Sequence, residues 1–343
     1  MARATIRDVA ERAGVSVATV SLVLNNKNVS LSQKTKEKVR QVIQELNYTP
    51  NQLAVGLITK KTKVLGLIIP DNCNDFFASL SKDIELATRQ YGYGVIYGNT
   101  NNDSQRDLEY MKMFRDRQVD GIILVKSASQ EEIEEKALSF IQKSSIPVIT
   151  IDRKLQDSKV RAVMLNHFKG GYLATRHLLK LGHTRIGAYT GPHSLPSSNE
   201  RLEGYRSALA EANIPFDNEL VFEGNYQMGL ESEAMRHLLN KRVSAIFCFN
   251  DLMAAGLYRE ARSLGLSIPD DLSVVGFDNV SFSEIIYPPL TTIGQPVRQM
   301  SECAVKTLID IINQGQPEDP RSVYLFEPKL IVRESTQQFV TKG

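Results

Sequence analysis

From Lys63 onward the chain alternates short unbroken apolar runs with longer stretches whose apolar residues recur at helical spacing. That alternation restricts the fold more than any other feature. The runs fall at Val64–Pro70, Tyr93–Tyr97, Gly121–Val125, Val148–Ile151, Val163–Leu165, Ile186–Gly191, near Leu220, Ala245–Phe249, Ser273–Phe277 and near Val323–Phe326. Helical patterns lie between them at Phe76–Tyr91, Gln105–Arg117, Glu131–Lys143, Lys169–Leu181, Glu200–Ala212, Gly229–Asn240 and Leu252–Leu264, with a further one at Val297–Ile312. A strand apolar at every position needs cover on both faces, which parallel sheets flanked by helices provide. About ten strands are more than one sheet holds comfortably, so the expectation is an α/β core of two parallel-sheet lobes. The first lobe is expected over 63–162 and 292–322, the second over 163–291 and 323–343, with leftover pieces after Thr291 crossing back between them.

The segment before this core has a different pattern. In TIRDVAERAGVSVATVSLVLN, Thr5 to Asn25, Thr5 and Asp8 form a helix-capping signal, and Ile6, Val9, Ala10 and Ala13 share one face. Gly14 supplies the permissive backbone for a sharp stop, and Ser16 restarts the chain as the N-cap of a helix over Val17–Leu24. Two short helices joined by a tight turn are the shape of a helix-turn-helix reader of DNA. A third helix, about Ser32–Leu46, carries Val39, Val42, Ile43 and Leu46 on one face and completes an all-α head over 1–47. Residues 48–62 form a linker. Pro50 can start a helix of about two turns over Gln52–Ile58, too short and too interrupted by Gly56 to hold alone in water.

Charge divides at the same place. Met1–Lys63 holds 11 basic and 4 acidic residues, a balance of +7, while the rest of the chain balances at −5. A basic head on a mildly acidic body is the distribution of a nucleic-acid-binding module joined to a separate sensor. No apolar run reaches the length of a membrane span, and the N-terminus lacks the apolar region of a secretory signal, so a cytoplasmic protein is expected. Cys73, Cys248 and Cys303 show no metal or redox spacing and are expected to be buried, reduced thiols. The histidines have no metal-ligand pattern, and no cofactor motif or nucleophile elbow occurs, so neither enzyme chemistry nor a bound cofactor is expected.

Over essentially its whole length the sequence resembles the lac-repressor-like (LacI/GalR) family of bacterial transcription regulators. The likeness is carried by TIRDVAERAGVSVATVSLVLN, YTPNQLA, VDGIILV, LGHTRIGAYTG, ERLEGYRSAL, FNDLMAAG, SVVGFDN, PPLTTIGQP and the final VREST, in that order. The resemblance implies a DNA-binding head, a hinge helix, and a two-lobed core like the type I periplasmic sugar-binding proteins. It implies a homodimeric repressor that binds a double-stranded, pseudo-palindromic operator and responds to a small molecule.

By the same resemblance, Val17, Ala18 and Leu22 occupy the base-reading positions of the second helix, and Ser16, Thr19, Ser21 and Asn25 suit phosphate contacts. None of the three base readers makes a bidentate bond to a base edge, so direct readout is expected to be modest. Leu22 stands where relatives often carry a polar or cationic residue. In the hinge Tyr48, Asn51 and Ala54 match the family, Leu57 matches its minor-groove wedge, and Val55 replaces a common arginine. The implied effector contacts in the interlobe cleft are Phe76, Phe77, Asp152, Arg201, Tyr226, Asn250, Asp251, Asp278 and Gln295. Carboxylates, amides and an arginine suit hydroxyl groups, and aromatic rings suit the apolar faces of a sugar. Purine sensing in the family tends to use a further arginine before Arg201; here the loop is GPHSLPSSN, with Leu195 near that place. The implied effector is therefore a carbohydrate or sugar phosphate.

Overall fold

The computed structural model describes residues 4–24, 31–49, 61–128, 131–155, 159–315 and 323–340. The chain separates into two compact units, Met1–Lys63 and Val64–Gly343.

In the first unit α1 (Ile6–Ala13), α2 (Val17–Leu24) and α3 (Gln33–Glu45) enclose a small apolar core. The caps read from the sequence are present. Thr5 N donates to Asp8 Oδ2 at 2.7 Å, Asp8 N returns a bond to Thr5 Oγ1, and Gly14 closes α1 with φ +64°. Ser16 Oγ accepts from Thr19 N at 3.1 Å and so starts α2. Val9, Ala13, Val20 and Val39 are fully buried where the three helices meet. Of the linker, residues 50–60 lie outside the described residues.

The second unit holds two six-stranded sheets. In chain order its elements are β1 (Val64–Ile69), α4 (Asp75–Gln90), β2 (Gly94–Asn99), α5 (Ser104–Asp116), β3 (Gly121–Leu124), α6 (Glu131–Lys143), β4 (Val148–Ile151) and β5 (Arg161–Leu165). There follow α7 (His167–Lys180), β6 (Ile186–Thr190), α8 (Pro196–Glu211), β7 (Val221–Glu223), α9 (Glu231–Asn240), β8 (Ala245–Cys248), α10 (Asp251–Ser263) and β9 (Ser273–Asp278). The last are β10 (Thr291–Gly294), α11 (Val297–Gln314), β11 (Val323–Phe326) and β12 (Lys329–Ile331). The first sheet runs β11-β5-β4-β3-β1-β2 and the second β12-β10-β9-β8-β6-β7. Every pairing is parallel except β10 with β12. The inner strands are buried at every position except Val64 at the start of β1 and Asp278 at the end of β9, as their continuous apolar runs require.

The lobe boundaries differ from the sequence expectation at three places. Val163–Leu165 pairs within the first sheet, Thr291–Gly294 within the second, and Val323–Phe326 returns to the first. The chain therefore crosses between lobes after Leu165, after Gly294 and after Phe326. Two strands were not legible. Thr291–Gly294 carries two threonines and a glycine, and Lys329–Ile331 is too short to show a period. Helix α8 begins at Pro196 rather than Glu200, because proline at its first turn offsets the weak helix preference of the two serines that follow. Cys248 is buried, but Cys73 is exposed and Cys303 half-buried, so burial of all three does not hold. Cys73 lies in the loop after β1, where the apolar run has ended. No described helix is long and apolar enough to cross a membrane.

Candidate ligand cleft and DNA-reading helix

The carboxyl ends of the strands in both sheets converge on one cleft, the position where open α/β sheets hold ligands. Asn74, Phe76, Phe77, Asp152 and Arg153 line it from the first lobe; Ser197, Arg201, Tyr226, Asn250, Asp278 and Gln295 line it from the second. The free space between these walls is about 40 Å3, well below the volume of a ligand-sized pocket, so the walls stand close together in this structure. Eight of the nine effector contacts expected from the sequence thus come together here.

Asp251 is the exception. Its carboxylate is fully buried behind the cleft wall, where Oδ1 accepts from Thr292 Oγ1 at 2.6 Å and Oδ2 from Val280 N at 3.0 Å. Glycine at 276 makes room, since a Cβ there would stand 2.2 Å from Asp251 Oδ1. Asp251 ties β9, β10 and the loop after β9 together and so positions Asp278. Burial pushes its carboxyl up to about 7.

Each polar wall residue of the second lobe is held by neighbours. Arg201 sits on α8, whose backbone packs directly on α7: a Cβ at Gly171 would come within 2.1 Å of Arg201 O, and one at Gly204 within 2.1 Å of Phe168 O. The guanidinium stacks 3.5 Å above the Phe277 ring, donates from Nη1 to Phe249 O, and lies 4.0 Å from Asp278 Oδ1. Its Nε donates to His167 Nδ1 at 3.3 Å, so His167 is neutral with the proton on Nε2. Burial and the Arg201 charge hold His167 well below the usual imidazole range. Gln295 Nε2 donates to Asp278 Oδ1 at 2.6 Å. Asn250 caps α10 through Met253 N at 2.8 Å and donates to Tyr226 O at 3.1 Å. Gly191 leaves the space the Tyr226 ring fills.

In the first lobe, Phe76 and Phe77 meet edge to face with ring centres 5.2 Å apart. Asp152 ends β4 with φ +68°, which turns its side chain out of the strand into the cleft wall. Its carboxylate lies 3.6 Å from Arg153 Nε and 3.7 Å from His167 Nε2. Burial raises both Asp152 and Asp278 above the usual carboxylate range; Arg153 and Arg201 oppose the shift at Asp152, Arg201 and Gln295 at Asp278. Arg153 is anchored by Nη1 donating to Lys126 O at 3.0 Å and Asn102 Oδ1 at 3.3 Å. Sequence reasoning did not single out Arg153, His167, Asn74 or Ser197. For Arg153 and His167 a signal exists in the chain: each is a charged or titratable residue one or two places beyond an unbroken apolar strand.

Arg153 Nε, His167 Nε2, Tyr226 Oη and Gln295 Oε1 are buried without a hydrogen-bond partner among the described residues. Unpaired buried polar atoms are rare in finished cores, and three of these four, on Arg153, Tyr226 and Gln295, belong to residues that line the cleft.

In the head, Val17 is 41% exposed, Ala18 and Ser16 are exposed, and Thr19, Ser21 and Leu22 are half-buried, while Val20 and Val23 face inward. Of the expected outward face of α2, Val17 and Ala18 are exposed and Leu22 is half-buried. Tyr48 packs half-buried against the head core. Asn25, Asn51, Ala54 and Leu57 lie outside the described residues.

A model of the bacterial regulatory proteins of the lacI family matches residues 5–51, and one of a periplasmic binding protein-like domain matches residues 175–336. The transcriptional repressor PurR of Vibrio campbellii is 36% identical over 337 residues, covering 98% of this chain and 99% of its own. Among solved structures, the lac repressor dimer bound to operator and the anti-inducer ONPF is 28% identical, with 98% and 100% of the two chains covered and a TM-score of 0.86. A LacI family regulator from Enterococcus faecium with bound ribose is 31% identical, with 81% and 100% covered and a TM-score of 0.73. This chain belongs to the lacI family of bacterial regulatory proteins and is a DNA-binding transcription regulator, not an enzyme.

Proposed function

We propose that the protein is a cytoplasmic, homodimeric repressor of carbohydrate-metabolism genes whose cleft binds a neutral carbohydrate. The observation that carries the ligand class is the charge balance of the cleft. Its two guanidiniums, Arg153 and Arg201, face two carboxyl groups, Asp152 and Asp278, so no cation is left over for a phosphate dianion. Hydroxyls suit the unpaired donors and acceptors there, and Phe76, Phe77 and Tyr226 suit the apolar faces of a pyranose or furanose ring. A sugar phosphate is thereby the weaker form of the carbohydrate reading. Ribose bound by the Enterococcus faecium relative supports a sugar in this kind of cleft.

A planar nitrogen base is the second reading, favoured by the same three aromatic walls. Titration calorimetry against neutral sugars, sugar phosphates and purine bases separates the readings. Binding by a neutral sugar alone is expected; binding only by a phosphorylated sugar or only by a base overturns it.

Ligand acts on DNA binding by shifting the balance between two arrangements of the lobes. Two identical heads related by a two-fold axis read a pseudo-palindromic site. Footprinting with and without the sugar tests this reading. Protection of a single asymmetric half-site contradicts the dimer.

A further inference from the structure

A recess between α5 and α6 of the first lobe differs from the cleft in both space and charge. Its free space is about 350 Å3, against about 40 Å3 in the cleft, and so falls within the range of small-molecule sites. Lys112 and Arg115 line it from α5, Lys136 and Lys143 from α6, together with the apolar side chains of Leu108 and Phe140. Among the described residues no carboxylate lines it. The chain beyond Lys63 is otherwise mildly acidic, at −5, so four cations around one space depart from its composition.

Helix electrostatics explain only half of this charge. Arg115 and Lys143 stand in the last turns of their helices, where the backbone dipole favours a cation. Lys112 and Lys136 lie further in and gain little from it. Exposed ion pairs occupy two of the four, Arg115 with Asp116 at 3.0 Å and Lys136 with Glu132 at 2.7 Å, and such pairs are weak in water. Lys112 and Lys143 are exposed and form no ion pair among the described residues. Their two charges match a phosphate monoester, which carries about −1.5 to −2 at neutral pH. The Arg115 guanidinium lies over the Phe140 ring, 5.4 Å from its centre, which holds it in place for an anion. Ser144 Oγ accepts from Ile146 N at 3.1 Å and keeps its own proton to donate. Leu108 and Phe140 supply apolar surface for the organic part of a phosphate ester. Cations converging on a recess, instead of spreading along a ridge, suit a compact anion over a duplex.

The same two helices carry residues that fix the cleft wall. Asp107, beside Leu108, accepts from Ser127 N at 2.7 Å and from Ser127 Oγ at 2.8 Å. Glu134, just before Lys136, pairs with Lys126, whose carbonyl holds Arg153. A ligand seated between α5 and α6 therefore lies against the elements that support Arg153.

We propose that this recess binds a small organic phosphate, a ligand separate from the one in the cleft.

Calorimetry on the full-length protein tests it by comparing AMP and phenyl phosphate with inorganic phosphate. At least one of the two esters is expected to bind about tenfold more tightly than inorganic phosphate, and to weaken as salt rises. Lys112→Glu and Lys143→Glu alter exposed positions, so each should melt like the unaltered protein. Each should cut the affinity for that ester at least about tenfold. Lys82→Glu, at an exposed position of α4 outside the recess, is expected to leave it unchanged. If neither ester binds, or if binding is unchanged in either recess variant, the proposal is overturned. An equal loss in Lys82→Glu also overturns it, since the effect would then be one of net charge alone. Recess variants that lose operator affinity in gel shifts while keeping the ester would assign these cations to DNA phosphates, and the proposal would fall.

Discussion

The outward face of α2 and the wall of the cleft, the two recognition surfaces we propose, are built on opposite physical terms. On α2 the groups we propose to meet DNA are Val17, Ala18 and Leu22, while Ser16 and Thr19 bond to each other, their hydroxyls 2.9 Å apart. This face costs the fold little, because folding and reading are done by different sides of one helix. In the cleft Asp152, Arg153, Arg201 and Asp278 are each nearly fully desolvated in side chains of 6–9% exposure. There the side chains that hold the structure are the ones we propose to meet the ligand. A substitution on α2 should therefore change stability or recognition separately, whereas a substitution in the cleft should change both.

Arg201→Ala is the strongest test of that difference. Removing one partner of a buried charge cluster costs about 3–5 kcal/mol, because Asp278 loses its cationic neighbour and His167 and Phe249 O lose their shared donor. Ligand affinity is expected to fall by more than about a hundredfold in the same variant. Arg201→Lys keeps the charge but not the planar fork, so it should recover part of the thermal stability and little of the affinity. An Arg201→Ala protein with normal melting and normal ligand binding would make the cleft as separable as α2.

The second test comes from the inward side of α2. Val20 is fully buried, and truncation to alanine should cost the head roughly 2 kcal/mol. A three-helix unit of about 46 residues has little stability to lose. Operator binding in a gel-shift assay should largely disappear while calorimetric ligand binding stays unchanged. Loss of ligand binding as well would show that the two units do not fold independently.

The same contrast explains what could be read in the sequence. The caps of the head were legible to the residue, because Thr5, Asp8, Gly14 and Ser16 act through neighbours three or four positions away. Strands apolar throughout were legible as buried parallel strands. The three crossings were not, since Val163–Leu165 and Val323–Phe326 look alike whichever sheet they join; β5 is set by pairing with β4 and β11, and β11 by pairing with β5, more than a hundred residues earlier in the chain. Within the cleft, the family likeness supplied the residues that converge but misplaced Asp251. An aspartate after an asparagine at the end of a strand looks the same in sequence whether it faces ligand or a buried threonine hydroxyl. Arg153 and His167 escaped notice because their partners, Lys126 O, Asn102 and Arg201, are brought to them by tertiary packing.

Leu22→Arg tests the outward face alone. If Leu22 faces the groove, an arginine there can bond bidentately to guanine, worth about 1–3 kcal/mol of discrimination at one base pair per half-site. The expected outcome of a binding-site selection is a new guanine preference with unchanged melting of the head. An unchanged preference would show that this half-buried leucine does not reach the bases.

The smallest effect sharpens the comparison from the cleft side, at the buried carboxyl group that does not line it. Asp251 has its carboxyl pushed from 3.8 up to about 7 in the folded chain, chiefly by burial. A raised carboxyl binds a proton more readily folded than unfolded, so folding gains stability as pH falls and loses it as pH rises through about 7. Between pH 8 and pH 6 this one group should add about 1 kcal/mol to the stability of the two-lobed unit. Asp251→Asn can keep both contacts, accepting from Val280 N with its oxygen and donating to Thr292 Oγ1 with its amide. Thermal melting across that pH range should therefore rise less on acidification in the variant than in the unaltered protein, with ligand affinity at pH 8 equal in the two. A variant that melts normally yet binds the sugar poorly would put Asp251 back among the ligand contacts. A pH slope identical in both proteins would mean that its proton is not linked to folding.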